Sequence, residues 1–465
     1  VKRVNLITMG CARNEVDSEE LAARLASDGW ELVSAAERAD IALVNTCGFV
    51  ESAKKDSIDA ILEATDGGKT PVVAVGCMAE RYGKELATAL PEASAVLGFD
   101  DYQNIAERLE HILAGGSHLS HVPRDRRTLL PISPSDRPVA AQDIQTPGHF
   151  SSISSPERRF LRKRLDGAPY AALKIASGCD RRCSFCAIPM FRGAFISRSP
   201  HDLIAEAHWL AENGVKEINL VSENSTSYGK DLGDLRLLES LLPALAQVEG
   251  IERIRVAYLQ PAEMRPSLVD VMTSTPKVAP YFDLSFQHSN AGVLRNMRRF
   301  GDSDAFLKLI ADIRAADPKA GIRSNVIVGF PGESESDFQE LLDFLTKAEM
   351  DAVGVFGYSD EEGTTAQALP DQIAEDVIRE RVNRAGELVE IVVNAKAKSR
   401  IGQQDSVLIE NVASSTIEGR GSHQGPEVDG SVLIQDQIQV KPGDLIQVEY
   451  VESDGADLVA RVLHG

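Results

Sequence analysis

The stretch Cys179-Asp180-Arg181-Arg182-Cys183-Ser184-Phe185-Cys186 constrains this chain more than any other, because it places three thiols at spacings of four and three. It follows an apolar, strand-like segment from Tyr170 to Ala176 and a Ser177-Gly178 turn. Thiolates select iron–sulfur clusters or zinc. A buried cysteine on its own usually acts as a small hydrophobe, but partners at both +4 and +7 would arise by chance roughly once in a thousand such chains. Structural zinc needs four closed ligands, typically two close pairs, and no fourth Cys or His stands nearby. The favoured reading is a three-thiolate site that holds three irons of a cubane and leaves the fourth open. An open position separates a reactive metal site from a closed structural one.

The pattern CxxxCxxC after a first strand resembles the signature of radical S-adenosylmethionine (AdoMet) enzymes. That resemblance implies that Cys179, Cys183 and Cys186 hold a [4Fe-4S] cluster whose open iron is chelated by AdoMet. One electron would then cleave AdoMet to methionine and a 5′-deoxyadenosyl radical.

The 465 residues suggest two to four domains, each able to bury a core. A net charge of −21 argues against broad, charge-driven binding of nucleic acid. Val1 to Met9 reads as a strand and not as a signal peptide. No apolar run reaches membrane-spanning length, and six cysteines in such a chain look reduced and ligating. The expectation is a cytoplasmic protein with no membrane contact.

From 1 to 116, short apolar strands alternate with amphipathic helices (Asp17 to Ser27, Glu51 to Ala64), as in a parallel α/β sheet domain. Val4 to Met9 leads to Gly10-Cys11, Ile41 to Asn45 to Thr46-Cys47, and Val72 to Val75 to Gly76-Cys77. Each remaining cysteine therefore ends a strand, the edge of an open α/β sheet where ligands bind. One such cysteine reads as a core residue; three out of three point to a second cluster. Residues 117–169, with Ser133-Pro134-Ser135, Thr146-Pro147-Gly148 and a Ser-rich run over 151–156, read as linker or mobile loop. Arg158, Arg159, Arg162, Lys163 and Arg164 form a basic run there, read as a solvated face or an RNA contact.

Between 170 and 397 a strand–helix unit recurs about six times, with strands expected at Tyr170–Ala176, Glu217–Ser222, Arg253–Leu259, Tyr281–Phe286, Arg323–Val328 and Ala352–Phe356. Six units are too few for a closed eight-stranded barrel and suit the partial (βα)6 barrel that radical-AdoMet enzymes resemble. Chemistry belongs at the carboxyl ends of these strands, where polar or glycine-rich segments follow: Ser222 to Tyr228, Gln287-His288-Ser289, and Gly329-Phe330-Pro331-Gly332-Glu333. Val326 to Glu333 resembles the family's adenine-side motif, implying AdoMet contacts from Gly329 and Gly332. Glu223 stands near the family's methionine-amine motif, and the resemblance places Phe185 beside adenine through its backbone. His288 reads as a packed or hydrogen-bonding histidine. There is no Walker A and no GxGxxG, so nucleoside triphosphate and dinucleotide readings fail.

Ile373 to Ser399 reads as an amphipathic connector helix. From 398 to 465, strand signals at Ser406–Ile409, Val432–Gln435, Leu445–Tyr450 and Leu458–Leu463 suggest a small five-stranded β-barrel that resembles a TRAM domain. From 400 onward, four basic and eleven acidic residues leave it at −7, a poor phosphate binder and a fitting dock for a basic protein.

Two cysteine triads, an amino-terminal α/β domain, a radical core and a TRAM-like barrel together resemble the radical-AdoMet methylthiotransferases. Cys11-Ala12-Arg13-Asn14-Glu15-Val16-Asp17-Ser18-Glu19, Asn45-Thr46-Cys47-Gly48-Phe49, Ser285-Phe286-Gln287-His288, Arg298-Arg299-Phe300-Gly301 and Glu418-Gly419-Arg420 match the branch that modifies an aspartate of a small-subunit ribosomal protein. The resemblance implies two [4Fe-4S] clusters, the second on Cys11, Cys47 and Cys77, with S-adenosyl-L-methionine as radical source and methyl donor. It implies as partners the ribosomal protein, docked by the acidic barrel, and an electron-donor protein; RNA contact is left to the basic linker. Two alternatives stay open from sequence: a tRNA-adenosine methylthiotransferase, and a non-catalytic metal-stabilised binding protein.

Overall fold

The computed structural model describes residues 1–34, 38–65, 67–140, 144–148, 162–413 and 416–463. The Ser-rich run at 151–156 and Arg158 and Arg159 lie outside the described residues.

The amino-terminal sheet has five parallel strands, β1 (Arg3–Thr8), β2 (Glu31–Val33), β3 (Ile41–Thr46), β4 (Val72–Val75) and β5 (Ala95–Val96), in the order β2-β1-β3-β4-β5. The sequence reading had three of these; β2 and β5 are too short to show a pattern. β3 and β4 are buried along their whole length because helices cover both faces. Alternate residues serve opposite cores: Leu43, Val73 and Val75 face one layer, while Ala42, Val44, Val72 and Ala74 face the other. The order reverses between β1 and β3, which opens a crevice at their carboxyl ends.

In the core, β6 (Tyr170–Lys174), β9 (Glu217–Val221) and β10 (Arg253–Val256) form one parallel sheet, and β11 (Tyr281–Gln287), β12 (Gly321–Val328) and β13 (Ala352–Gly357) form another. A short antiparallel pair, β7 (Ala176–Ser177) and β8 (Ile196–Ser197), backs the cysteine loop. Parallel bridges Ile254–Val278 and Leu259–Leu284 join the halves, giving six parallel strands in chain order with β6 and β13 at the edges. That is the open barrel expected.

The carboxyl-terminal barrel closes through β14 (Gln404–Val412), β15 (Ile417–Arg420), β16 (Val432–Ile434), β18 (Asp457–Val462) and β17 (Leu445–Asp454). The strand missing from the sequence reading is β15, whose Glu-Gly-Arg run carries charge and no alternating apolar pattern. The charge is internal. Arg420 donates to Glu217 Oε1 (3.0 Å) and pairs with Glu410. Arg255 donates to Glu217 Oε1 (2.9 Å) and to Gly421 O (2.7 Å), and Arg253 to Arg420 O (3.0 Å). Tyr281 and Arg323 both bind Asp429. Glu217, Arg253 and Tyr281 begin their strands and Arg323 is third of eight in its own, so the barrel sits on the core's amino-terminal face, which the long Arg255 side chain reaches from within β10. Asp405, Asp429 and Arg420 are taken up by this region of the fold, and Glu427, Glu452, Asp454 and Asp457 face solvent.

Burial alone would raise the Glu217 carboxyl, yet Arg255, Arg420 and Arg253 hold it down at about 2. Its contribution to stability is therefore complete above its ordinary value near 4.5 and is lost as pH falls toward 2. Glu217→Gln leaves buried guanidinium charge without its counter-ion and is expected to lower stability by about 3 kcal/mol at pH 7. Urea titrations of both proteins at pH 7 and pH 3 check this: the difference should shrink at the lower pH.

The linker is more than a tether. Arg126 is buried against Glu80 (3.0 Å) and Asp100 (3.2 Å), and Gly148 N donates to Glu20 Oε2 (2.6 Å). Arg162, read as solvated or RNA-facing, is buried between Glu19 and Glu206; Arg164 also reaches Glu19. Both are internal cations, because the amino-terminal domain presents carboxylates toward the strap. Lys163 alone among the described members of the run is exposed. The helix expected from Ile373 starts at Glu375 and is also more than a connector, since it packs on β13 and the Glu335–Ala348 helix.

Candidate functional site

Cys11, Cys47 and Cys77 follow β1, β3 and β4, three strands that neighbour one another in the sheet. Two glycines let their loops close. A Cβ on Gly10 (φ +97°) would lie 2.8 Å from Cys47 Cβ and 2.9 Å from its Sγ. At Gly76 (φ +90°) it would lie 2.2 Å from Asn45 Oδ1. No other residue tolerates both that backbone and that crowding. Asn14 ties the rim together, donating to Met9 O (2.9 Å) and Thr46 O (3.2 Å) and accepting from the Cys77 thiol (3.4 Å).

The second triad hangs on Gly178 (φ +80°), whose absent Cβ would meet Ala194 O at 2.2 Å. Cys179 N donates to Gly193 O (3.0 Å) and Cys186 N to Cys183 O (3.2 Å). Side chains clamp the loop from outside: Arg137 of the strap binds Asp180 (2.7 Å), and Arg181 pairs with Glu263. Ser184 gives its N–H to Met297 O (3.1 Å) and its hydroxyl to Asn296 O (2.7 Å). Arg299 points a guanidinium nitrogen at Cys183 Sγ, 3.8 Å away.

All six cysteines are free thiols. Burial pushes Cys77 and Cys186 up to about 12 and raises Cys179 and Cys47 as well. At Cys11 the same burial is outweighed by Arg13, whose Nε donates to the sulfur at 3.4 Å, and by Arg192, which hold the thiol below its ordinary value. Thiols raised by burial in this way keep their protons until a metal displaces them. Among the described residues no three Cys, His, Asp or Glu side chains converge as a single metal ion requires. The chemistry of the donors, three free thiols in each set, is that of an iron–sulfur site with one open iron, whereas structural zinc takes four closed ligands.

Two arginines that sequence reasoning did not single out, Arg13 and Arg192, link the amino-terminal triad to the core, and the charge of Arg13 acts on Cys11 of one triad and on Cys186 of the other. Arg13 bonds Cys11, donates to Ser222 O (3.5 Å), faces Glu223 Oε1 (3.7 Å) and lies over the Tyr258 ring at 4.8 Å. Arg192, six residues beyond Cys186, donates to Cys77 Sγ (3.0 Å), Asn14 Oδ1 (2.7 Å) and Asp17 Oδ2 (2.7 Å). Lys174 at the end of β6 completes the bridge to Asp17 at 2.9 Å. Burial would raise the Asp17 carboxyl, but Arg192 and Lys174 keep it below its usual range. The available signal was a lone arginine ending the apolar Ala187 to Phe191 segment.

The remaining expected contacts fall on the same side of the core. Glu223 has a side chain 2 % exposed and an Oε2 with no hydrogen-bond partner, an orphaned buried carboxylate oxygen suited to an ammonium. Phe185 is half-buried against the core cluster. Gly329 (φ +75°) and Gly332 (φ +84°) shape the turn after β12. At Gly329 the missing Cβ faces Ile378, 2.5 Å away on the Glu375–Ser399 helix, so helix packing, and not only ligand approach, demands glycine. Glu333 locks this turn by accepting Gly329 N (3.0 Å) and Arg381 NH1 (2.7 Å). His288 is fully buried, accepting Asn290 N (3.0 Å) and facing Glu333 at 3.3 Å, the packed histidine expected.

Comparison with known proteins agrees domain by domain. Residues 3–98 match the family described as uncharacterized protein family UPF0004, 173–345 the radical SAM superfamily, and 401–463 the TRAM domain. A Streptomyces coelicolor protein named ribosomal protein uS12 methylthiotransferase RimO is 61 % identical, covering 100 % of this chain and 97 % of its own length. Proteins of the same name from Streptomyces avermitilis and Cutibacterium acnes are 60 % and 57 % identical over 100 % and 98 % of this chain and 97 % of theirs. Among solved structures, the radical S-adenosylmethionine methyltransferase TsrM from Kitasatospora setae superposes with a TM-score of 0.53 at 13 % identity, over 77 % of this chain and 73 % of that one, a likeness of fold. Identity sustained from the first domain through the barrel leaves one assignment: the chain belongs to the ribosomal protein uS12 methylthiotransferase (RimO) family of radical S-adenosylmethionine enzymes.

Proposed function

We propose that the chain replaces a β-carbon hydrogen of an aspartate in ribosomal protein uS12 by a methylthio group, using one AdoMet as radical source and one as methyl donor. The observation that supports this most is Arg13, which bonds Cys11 of one triad, faces Glu223 at 3.7 Å and acts by its charge on Cys186 of the other. A β-carbon of aspartate has no acidity that a side-chain base exploits near neutral pH, and a bound [4Fe-4S] cluster with AdoMet supplies radical chemistry for that step. Cys179, Cys183 and Cys186 would hold the first cluster, and Cys11, Cys47 and Cys77 the auxiliary one that carries the sulfur.

This chain's own residues bind, orient and shield. Glu223 would receive the ammonium of AdoMet, the Phe185 backbone and the Gly329–Gly332 turn would lie toward its adenine, and Arg13 and Arg192 would balance the negative charge of ligated thiolates. Asp17, Lys174 and Arg192 fix the amino-terminal domain on the core so that water is kept from the space between. The acidic barrel, on the opposite face of the core, holds a basic region of the partner remote from the modified aspartate.

The test is direct. Anaerobically reconstituted protein should bind about eight irons per chain and add a methylthio group, seen by mass spectrometry, to a peptide of the uS12 loop. Addition to a tRNA anticodon stem-loop in place of the peptide would reassign the substrate. One zinc and no visible absorbance would remove the catalytic reading.

A further inference from the structure

Resting on that reading, turnover draws one electron from outside the chain, and the surface nearest the Cys179–Cys186 loop decides which carrier delivers it. A net charge of −21 makes most of this molecule repel acidic proteins. One patch departs from that. Arg182, Arg295 and Arg298 are all exposed, and their side chains make no hydrogen bond or ion pair among the described residues. The two bonds from Ser184 to Asn296 O and Met297 O seat the turn that carries Arg295 and Arg298 on the loop that carries Arg182. Nearby carboxylates are mostly engaged elsewhere: Asp180 with Arg137, Glu263 with Arg181, and Asp302 as a helix cap for Ala305 N; Asp304, and Asp270 on the rim of the hollow beside Phe300, stay open among the described residues.

The patch also has an apolar anchor and a short way in. Phe300 is 74 % exposed and borders a hollow of about 360 Å³ lined by Met264, Val269 and Leu309. Between Arg298 and Phe300, Arg299 turns inward to Cys183 Sγ. An exposed aromatic on the same turn as two unpaired arginines, with a third on the loop bonded to that turn, has the composition of an interface centre. Unpaired cations in a strongly acidic molecule select an acidic partner by orientation as well as by affinity. Three arginines on one turn and one loop do not make the extended cationic track that a nucleic-acid backbone follows.

We propose that Arg182, Arg295, Arg298 and Phe300 form the docking surface for a small acidic one-electron carrier protein of the flavin or iron–sulfur class, with Arg299 as the nearest side-chain link to Cys183. The carrier is oxidised by one electron and the centre held by Cys179, Cys183 and Cys186 is reduced by one; no bond forms and no proton crosses the interface.

The probe is a purified acidic flavodoxin, labelled for fluorescence anisotropy and titrated with the anaerobically reconstituted full chain. The charge-reversed R182E/R295E/R298E protein should bind it at least ~10-fold more weakly than wild type. The charge-keeping R182K/R295K/R298K protein should stay within about threefold, and wild-type binding should weaken as salt rises. With reduced flavodoxin the reversed protein should form 5′-deoxyadenosine at least ~10-fold more slowly; with dithionite, which needs no docking, it should match wild type. Equal flavodoxin binding by wild type and the reversed protein, or no wild-type binding, overturns the proposal. So does loss of binding to a single-stranded RNA with flavodoxin binding intact, which makes the patch a nucleic-acid face. Wild-type protein that cleaves no AdoMet even with dithionite sinks the radical reading itself, an outcome distinct from the binding result.

Discussion

Cys183→Ala is expected to abolish reductive cleavage of AdoMet while leaving the protein folded. The loop keeps its shape without this thiol, because the bonds that fix it run through other atoms: Cys179 N to Gly193 O, Ser184 N to Met297 O, and Arg137 to Asp180. What is lost is one of three iron ligands, with no neighbouring Cys or His to take its place. Removing an outer-shell partner of a metal site typically costs 10–100-fold, and removing a ligand outright should exceed ~100-fold. The measurement is 5′-deoxyadenosine formation with dithionite, alongside iron content, which should fall to about four per chain if the auxiliary cluster is independent. Cleavage at a wild-type rate would remove Cys183 from the site.

Cys47→Ala should show the complementary pattern: AdoMet is still cleaved, iron again falls to about four per chain, and no methylthio group reaches the uS12 peptide. Cys47 is the cleanest member of its triad to remove. Cys11 is bonded to Arg13 and Cys77 to Arg192, so deleting either thiol also releases a buried arginine of the bridge. Among the described residues the Cys47 sulfur takes a backbone hydrogen bond from Phe49 and no side-chain one, and Gly10 packs directly against it. A smaller side chain there disturbs packing little, and AdoMet cleavage should stay within about threefold of wild type. Methylthio transfer at an undiminished rate would mean that this triad carries no sulfur.

Much of the site was readable without coordinates because it obeys local rules. Three thiols in eight residues share a loop in any fold, and a cysteine that directly follows a buried parallel strand must sit on the sheet's carboxyl edge. The bridge between the domains was not readable. Arg13, Arg192, Lys174 and Asp17 lie up to 175 residues apart where they bond, and each alone looks like an ordinary surface charge. Their pairing depends on how two sheets dock, which no periodicity encodes. The same holds at the barrel: β15 carries Arg420 for Glu217, 203 residues away, and so lacks the alternating pattern that marks a strand.

By itself the sequence determined the groups available: two sets of three thiols, parallel strands to present them, and glycines where loops must turn back. Tertiary structure alone decided that Arg13 lies between Cys11 and Glu223 and acts on Cys186, that Arg162 and Arg164 are internal and not RNA-facing, and that the acidic barrel lies on the amino-terminal face of the core. The reason is range. Ligand spacing and strand ends follow from neighbouring residues, whereas a buried charge is tolerated only where distant backbone brings its counter-charge within bonding distance.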